Sequence, residues 1–364
     1  MATPEPRPGI LEIKPYKPGA SKAAHAGPIH KLSSNESALG ASPHAIEAFR
    51  TLSHSLHLYP DGSATALREA LGERWKLNPD RIVCGAGSDE ILQLVTRAYA
   101  GPGDNIVQSQ HGFLVYALAA KSCGAEVRFA AEKDRTADID EILSQVDDAT
   151  KLVFIANPNN PTGTYVPETS LVRLRRDLPK DVILVIDAAY AEYMTAKDYS
   201  DGAEMVDAHD NVVMTRTFSK IYGLGGLRLG WGYFPEAMAD VINRIRGPFN
   251  VSAASIAAGV AAVNDTDFLA TNRAHNDAER ARLTQAINGA GLTVTPSVAN
   301  FLLVDFPTEG KHTAPAALAF LASRGVLVRE MTAYGLPESL RVSVGSREAN
   351  DAFLNALEAF LTNG

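Results

Sequence analysis

The stretch Met214-Thr-Arg-Thr-Phe-Ser-Lys-Ile-Tyr-Gly-Leu-Gly-Gly-Leu-Arg-Leu-Gly-Trp231 places a single lysine, Lys220, among small and polar residues, with Arg228 eight positions beyond it. Glycines let a flat ligand approach a lysine closely, and hydroxyl groups with an arginine suit a phosphate. The stretch alone is equally compatible with a glycine-rich surface loop that carries a solvated lysine. Its hydroxyl and glycine positions are Thr215, Thr217, Ser219, Gly223, Gly225, Gly226 and Gly230.

The chain around this stretch alternates short apolar runs with amphipathic helices, which predicts an α/β fold. Near-continuous apolar strands separated by helices are typical of a mostly parallel sheet covered on both faces. Helix starts are predicted at Ser42, which precedes Pro43, and at Ser63 after a Pro-Asp-Gly turn. The predicted strands of the main sheet are 81–84, 105–108, 126–129, 152–156, 182–186, 211–215 and 230–234.

The length of 364 residues favours two domains over one, because a single hydrophobic core stops growing near ~250–300 residues. After Pro248 the chain becomes helical and alanine-rich, and shorter strands and helices follow. We therefore expect an N-terminal arm with part of the small domain at 1–35. A large ligand-binding domain is expected at 36–250, and a smaller α+β domain at 251–364.

Composition excludes several classes of function. The net charge of −8 argues against a nucleic-acid footprint, which requires basic stripes. No segment approaches ~18 uninterrupted apolar residues, and the N-terminus has no signal-peptide pattern, so we expect a cytoplasmic protein with no membrane partner. Cys84 and Cys123 form neither a disulfide framework nor a metal-ligand spacing, so no metal site is predicted.

Polar side chains follow several of the predicted strands, where ligands bind in an open parallel sheet. Gly85-Ala-Gly-Ser-Asp-Glu90 opens a helix, so its N–H groups and the Ser88 hydroxyl can bind an anion. Asn160 lies in a proline-rich turn that follows the predicted strand 152–156. Asp187 ends an apolar run, an unfavourable place for a carboxylate unless a cation is bound there. Together with Lys220, these positions predict one shared site.

Two common nucleotide-binding motifs are excluded by the same residues. A dinucleotide fingerprint needs G-x-G-x-x-G, but Arg228 stands at the third glycine position of one candidate and Glu90 at that of the other. The chain also lacks the Gly-Lys-Ser/Thr of a phosphate-binding loop of nucleotide hydrolases. We therefore reject both kinds of site.

A phosphate-bearing aromatic cation fits the remaining pattern. Asp187 would pair with a protonated ring nitrogen, and Asn160 and Tyr190 would hold a phenolate oxygen. Phe113 would stack on the ring. Lys220 would form a Schiff base, the usual covalent role of an active lysine that meets a carbonyl. These roles predict pyridoxal 5'-phosphate, a cofactor that acts as an electron sink.

At this point the sequence resembles the fold-type-I pyridoxal-phosphate aminotransferases, and more narrowly the histidinol-phosphate aminotransferases, over nearly its whole length. That likeness implies a large domain with a mostly parallel seven-stranded sheet between helices, a smaller α+β domain and a homodimer with shared active sites. The motifs that carry it are Ser34-Asn-Glu36, Tyr59-Pro-Asp-Gly, Gly85-Ala-Gly-Ser-Asp-Glu, Asn160-Pro-Thr-Gly, Asp187-Ala-Ala-Tyr190, Ser219-Lys220 with Arg228, and Leu340-Arg-Val-Ser-Val-Gly345.

The resemblance implies roles residue by residue. Lys220 is expected to be the Schiff-base lysine and proton shuttle, with Asp187 and Tyr190 as the other catalytic residues. Residues expected around the cofactor are Ala86, Gly87, Ser88, Phe113, Asn160, Asp187, Tyr190, Thr217, Ser219, Lys220 and Arg228, with Tyr59 supplied by the other subunit. Residues expected to bind the substrate are Tyr16, Asn35, Asn160, Arg329 and Arg341.

Two positions depart from the family pattern. Phe113 stands where many relatives stack a tyrosine on the ring, and Ala188 stands where an acidic residue usually follows the aspartate. Neither change removes an essential group, so an active enzyme is expected.

The expected reaction is transamination between L-histidinol phosphate and 2-oxoglutarate in histidine biosynthesis. Alternatives that the sequence leaves open are an aromatic amino-acid aminotransferase or an enzyme with both specificities. More distant alternatives are a threonine-phosphate decarboxylase and a non-catalytic regulator that binds the cofactor.

Overall fold

The computed structural model describes residues 4–7, 9–15, 18–22 and 24–363. Tyr16, one of the residues expected to bind substrate, lies outside them. The strands are β1 (His30–Lys31), β2 (Ile82–Gly85), β3 (Asn105–Ser109), β4 (Glu126–Ala130), β5 (Glu132–Lys133), β6 (Thr136–Ala137), β7 (Thr150–Ala156), β8 (Ile183–Asp187), β9 (Val212–Thr217), β10 (Gly230–Tyr233), β11 (Thr293–Thr295), β12 (Phe301–Asp305), β13 (Val326–Leu327), β14 (Arg329–Glu330) and β15 (Ser339–Ser343).

Helices separate most of these strands. The α-helices are α1 (Pro43–Thr51), α2 (Thr65–Trp75), α3 (Ser88–Tyr99), α4 (Leu114–Cys123), α5 (Ile139–Ser144), α6 (Glu168–Asp177), α7 (Ala203–Ala208), α8 (Glu236–Ile245), α9 (Ala253–Asn264), α10 (Thr266–Gly289), α11 (Ala314–Ser323) and α12 (Arg347–Asn363). None of the helices in the described ranges combines the length and the apolar character needed to cross a membrane.

The central sheet has seven strands in the order β2-β10-β9-β8-β7-β3-β4. All neighbouring pairs run parallel except those of β10, which is antiparallel to β2 and to β9. The predicted α/β class with a mostly parallel seven-stranded sheet is therefore confirmed. The parallel order also brings the carboxyl ends of β7, β8 and β9 to one edge, where a ligand site is expected.

Both faces of this sheet are buried, which explains why its strands read as continuous apolar runs. In β8, Leu184 and Ile186 pack into one hydrophobic cluster, whereas Ile183 and Val185 pack into a second cluster on the other face. This alternation follows from the two-residue period of a strand. Helices on both faces complete the layers.

The C-terminal part contains a separate four-stranded sheet in the order β11-β12-β15-β14 with its own hydrophobic cluster. Strand β1 joins this part by pairing in parallel with β13. Helix α10 spans both cores, because its Leu269 packs with the central sheet while Leu283 and Ile287 pack with the C-terminal sheet. The domain boundaries after residues 35 and 250 stay a prediction.

The two predicted helix starts had different outcomes. Ser42 caps α1 as predicted, because its side chain accepts a hydrogen bond from the Ala45 amide. The prediction for Ser63 was wrong, since α2 begins at Thr65. The carboxylate of Asp61 accepts from the Ser63 amide at 2.9 Å and from the Thr65 amide at 2.7 Å. An anionic oxygen is the stronger acceptor, so the aspartate of the turn replaces the serine.

Candidate active site

A pocket opens at the carboxyl ends of β7, β8 and β9. Its position agrees with the general rule for ligands in open α/β sheets. Predicted site residues that line it are Asn35, Ser88, Phe113, Asn160, Asp187, Tyr190, Thr217, Ser219, Lys220, Arg228, Arg329 and Arg341. Because these residues come from distant parts of the chain, the fold gathers the predicted site into one cavity. Within the described ranges, no group of acidic, histidine and cysteine side chains could hold a metal ion.

Asp187, the last residue of β8, is a buried carboxylate with hydroxyl partners. Its Oδ2 accepts a hydrogen bond from the Tyr116 hydroxyl at 2.7 Å, and its Oδ1 accepts one from Thr215 at 3.2 Å. Burial raises the pKa of Asp187 to about 6, and these hydrogen bonds oppose that rise. A carboxylate that is this buried and is held by neutral donors can be stabilised further by a cationic group in the pocket.

Tyr190 and Asn160 both line the pocket. The Tyr190 hydroxyl accepts a hydrogen bond from Nδ2 of Asn35 at 3.0 Å, and burial raises its pKa to about 12. The phenol is therefore protonated at neutral pH and can donate to an oxygen in the pocket. Asn35 is in turn held by Ser343, whose hydroxyl oxygen accepts a hydrogen bond from the backbone amide of Asn35 at 2.8 Å. The phenol of Tyr190, one of the two predicted ring-oxygen ligands, thus has a defined orientation.

Arg228 and the end of β9 form a cationic end of the pocket. Nη1 of Arg228 donates to Ser219 Oγ at 3.3 Å, and Thr217 Oγ1 donates to the same hydroxyl at 3.0 Å. A Cβ on Gly87, at φ +86°, would lie 2.5 Å from Nη2 of Arg228. Glycine at this position therefore lets the guanidinium lie against the start of α3, where N–H groups and Ser88 can also bind an anion.

The backbone amide of Ala86 makes a hydrogen bond within the protein. It donates to Oε2 of Glu90 at 2.6 Å, and the same oxygen accepts a hydrogen bond from Asn250 at 2.9 Å. Glu90 therefore holds the turn before α3 in place. The expected contact of Ala86 with the cofactor phosphate stays a prediction.

Lys220 lines the same pocket as Arg228 and Tyr190. Its Nζ lies 5.6 Å from the centroid of the Tyr190 ring. The turn after Lys220 is closed by a hydrogen bond from the Gly223 amide to the Lys220 carbonyl at 2.9 Å. Gly223 has φ +69°, and a Cβ there would lie 2.0 Å from the carbonyl oxygen of Gly40. The turn that presents the lysine therefore requires glycine at this position.

Arg341 and Arg329 form a second cationic end, contributed by the C-terminal sheet. Arg341 Nη1 donates to Asn160 Oδ1 at 2.6 Å, and its Nη2 donates to the carbonyl of Ser33 at 3.0 Å. Its Nε is buried and has no acceptor among the described residues. Both arginines line the pocket and are largely buried. A substrate anion bound here would satisfy that remaining donor.

Tyr59 is placed apart from the pocket of its own chain. Its side chain is 82% exposed and stacks on Phe249, with the ring centroids 4.6 Å apart. Leu56 and Leu58 beside it are also exposed. An exposed aromatic pair next to apolar side chains is typical of an interface between proteins.

Sequence reasoning missed three pocket-side residues. Tyr116 contacts Asp187 and lies three positions after Phe113 on α4, so helical spacing was the signal that could have found it. Asp89 forms an ion pair with Arg228, with Oδ2 and Nη2 3.2 Å apart. Tyr334 lines the pocket near Arg329, and no sequence motif singled it out.

Known proteins with similar sequences or structures identify the family. The sequence profile of aminotransferases of class I and II matches residues 28–357. The chain is 53% identical to the histidinol-phosphate aminotransferase of Paramagnetospirillum magneticum, over 99% of each chain. It is 54% identical to that of Rhodospirillum rubrum, over 98% of this chain and 97% of the relative.

A solved structure agrees with these sequence matches. Histidinol-phosphate aminotransferase from Sinorhizobium meliloti, in complex with pyridoxal-5'-phosphate, superimposes with a TM-score of 0.91 at 27% identity and covers 100% of this chain and 99% of that one. Taken with the profile match and the pocket at the strand ends, these similarities show that the chain belongs to the class I and II aminotransferase family.

Proposed function

We propose that this protein is a pyridoxal-phosphate-dependent aminotransferase that interconverts L-histidinol phosphate and 2-oxoglutarate with imidazole-acetol phosphate and L-glutamate. The observation that carries the proposal is a pocket lined by Lys220, by Arg228 beside Ser219, and by Arg329 and Arg341 of the C-terminal sheet. Arg228 suits the cofactor phosphate, and the arginines of the C-terminal sheet suit the anionic group of a substrate. Relatives that are more than half identical over the full length bear the name of this activity.

The residues of the pocket fit the cofactor. Asp187 is buried and held by neutral hydroxyls, so a protonated ring nitrogen would supply the missing cationic partner. Arg228, Ser219 and the start of α3 would hold the phosphate. Asn160 and Tyr190 would hold the ring oxygen, as their hydrogen-bonding groups face the same cavity.

The cofactor, when bound, supplies an electron sink that stabilises negative charge on the substrate carbon. Asp187 would keep the ring nitrogen protonated, which that stabilisation requires. Lys220 would hold the cofactor covalently at rest and would carry a proton to and from the substrate carbon during turnover. The aromatic face of Phe113 would pack on the ring and exclude water from that side.

In this proposal the arginines of the C-terminal sheet bind the anionic group of the substrate. Arg341 already bonds to Asn160 through one nitrogen and has a buried Nε left to donate. Arg329 supplies a second charge, which suits the phosphate of histidinol phosphate or the distal carboxylate of glutamate. Asn35 positions the phenol of Tyr190 beside this end.

We also propose that the active enzyme is a homodimer in the cytoplasm, where the metabolites of amino-acid biosynthesis are made. The exposed stack of Tyr59 on Phe249 supports the dimer, because Tyr59 is too exposed to serve a site of its own chain. In the dimer, Tyr59 would reach the cofactor phosphate of the neighbouring subunit.

Single-turnover reactions test the proposal. The cofactor-loaded enzyme is mixed separately with histidinol phosphate, phenylalanine and threonine phosphate, and bleaching of the cofactor absorbance is followed. The fastest reaction is expected with histidinol phosphate. Faster reaction with phenylalanine would favour an aromatic aminotransferase, and release of carbon dioxide from threonine phosphate would favour a decarboxylase. A purified protein without bound cofactor or transamination would overturn the proposal.

A further inference from the structure

Tyr116 is a buried hydrogen-bond donor to Asp187 that has no part in the proposed function. Its hydroxyl donates to Asp187 Oδ2 at 2.7 Å, and its side chain is 1% exposed. We propose that Tyr116 is a positioning residue that keeps Asp187 ionised, so that the proton shared with the cofactor stays on the ring nitrogen. This inference rests on the proposed function.

The ring of Tyr116 is held on two sides, which fixes the direction of its hydroxyl. It stacks on Phe154 with centroids 4.7 Å apart and planes 10° apart. The edge contact to Phe113 has centroids 5.8 Å apart at 84°. Because Phe113 is the residue expected to stack on the cofactor, one aromatic cluster sets both the plane of the cofactor ring and the direction of the Asp187 carboxylate.

The Tyr116 hydroxyl can only donate in this setting. Burial and the neighbouring Asp187 charge raise the pKa of Tyr116 well above its usual value, so the phenol keeps its proton over the working pH range. Other groups that act on the carboxylate are Thr215, Asp89 and the Ala189 amide. Of these, Asp89 raises the pKa of Asp187, whereas the hydroxyls of Tyr116 and Thr215 lower it.

Loss of the Tyr116 hydroxyl would make Asp187 a stronger base. A hydrogen bond to a charged group corresponds to about one pKa unit. In the shared hydrogen bond the proton would then move toward Asp187, and the ring nitrogen would lose positive charge. Since that charge makes the ring an electron sink, kcat falls while binding of the substrate at Arg329 and Arg341 is unchanged.

The test compares Tyr116→Phe with Thr215→Val and with Tyr222→Phe as the matched control. Tyr222 is also a buried tyrosine, and its hydroxyl has no hydrogen-bond partner among the described residues. Each holoenzyme is loaded with cofactor labelled with ¹⁵N at the ring nitrogen. The ¹⁵N chemical shift then reports protonation of that nitrogen, and steady-state kinetics report kcat and KM.

For Tyr116→Phe we expect the ¹⁵N signal to move toward the unprotonated form, with kcat about ten-fold lower, as expected for one pKa unit, and KM within about two-fold. Thr215→Val should change both readouts in the same direction but less, because its hydrogen bond is longer, at 3.2 Å. Tyr222→Phe should leave the ¹⁵N signal of the wild type unchanged.

Two results would overturn the inference. One is a folded Tyr116→Phe holoenzyme whose ring nitrogen stays as protonated as in the wild type. If Tyr116→Phe does not fold, Thr215→Val decides, and an unchanged ¹⁵N signal there counts against the inference. A wild-type protein that binds no cofactor would instead refute the proposed function, so the two failures are distinguishable.

Discussion

Arg329 and Arg341 lie directly opposite each other on the antiparallel strands β14 and β15, and both line the pocket. Like charges at opposed positions destabilise a sheet, so this pair lowers the stability of the protein that carries it. Anionic substrate groups bound between the two guanidinium groups would offset that repulsion. In the proposed function, the anion would be the dianionic phosphate of histidinol phosphate or the two carboxylates of glutamate.

Replacing Arg329 with Met tests this explanation. The KM values for histidinol phosphate and glutamate should rise about ten- to a hundred-fold, because a charge-assisted hydrogen bond to the phosphate of the first or to the distal carboxylate of the second is lost. The KM for phenylalanine, which has only the α-carboxylate, should change little. Arg324→Met, at an exposed position, serves as the control. An equal loss for all three substrates would contradict the separate role of Arg329.

Replacing Lys220 with Ala should leave a protein that binds the cofactor but turns over very slowly. The proton carrier is then missing, and a positioned acid–base group contributes about 10²–10⁴-fold to a rate. Turnover is measured by glutamate formation, and cofactor content by absorbance after gel filtration. Lys197→Ala, at an exposed position, should behave as the wild type. Near-normal turnover by the Lys220 variant would remove the lysine from the mechanism.

Asp187 predicts a pH dependence for the stability of the cofactor-free protein. Its folded pKa of about 6 lies above the usual value of 3.8, so the fold favours the protonated acid. That contribution is complete below pH 3.8 and is lost as the pH rises through about 6. Asp187→Asn should therefore gain stability relative to the wild type across this window, by up to about 3 kcal/mol.

Urea unfolding of the cofactor-free proteins between pH 4 and pH 8 measures this difference. The exposed variant Asp210→Asn is the control and should follow the wild type. The Asp187→Asn protein should also bind the cofactor less tightly, because the ring nitrogen loses its anionic partner. A constant stability difference between Asp187→Asn and wild type across the window would show that the carboxyl titrates normally.

Mixed dimers test whether Tyr59 serves the neighbouring subunit. A dimer of one Lys220→Ala chain and one Tyr59→Ala chain contains one intact site if Tyr59 acts across the interface, and none if it acts within its own chain. We expect the mixed dimer to recover about half of the wild-type activity when the cofactor is limiting, from the one intact site of two. Activity no greater than the mean of the two parent dimers would place Tyr59 in its own subunit.

The positions of Asp187, Asn160 and Lys220 could be predicted because each follows or ends an apolar run. The carboxyl ends of parallel strands meet at one edge, so residues that are far apart in sequence converge there. The general α/β class followed from the same alternation. Local patterns of apolar and polar residues were therefore sufficient for this part of the site.

Other features depend on contacts that no local pattern records. The bond from Arg341 to Asn160 joins residues 181 positions apart. In the sequence, Tyr116 is an ordinary residue of a predicted helix. Only the tertiary structure places its hydroxyl within hydrogen-bond distance of the Asp187 carboxylate. The start of α2 was wrongly predicted at Ser63, because the sequence pattern does not show that the Asp61 carboxylate accepts from the Ser63 and Thr65 amides.

The hydrogen bond from Arg341 to Asn160 limits how the substrate preference of this protein can diverge during evolution. In the proposed function, one residue recognises the substrate and the other touches the cofactor, yet their side chains are bonded at 2.6 Å. Residues in direct contact have coupled mutational effects, so a change at either position alters the fitness of changes at the other. A new specificity that changes Arg341 is therefore expected to need a compensating change at Asn160.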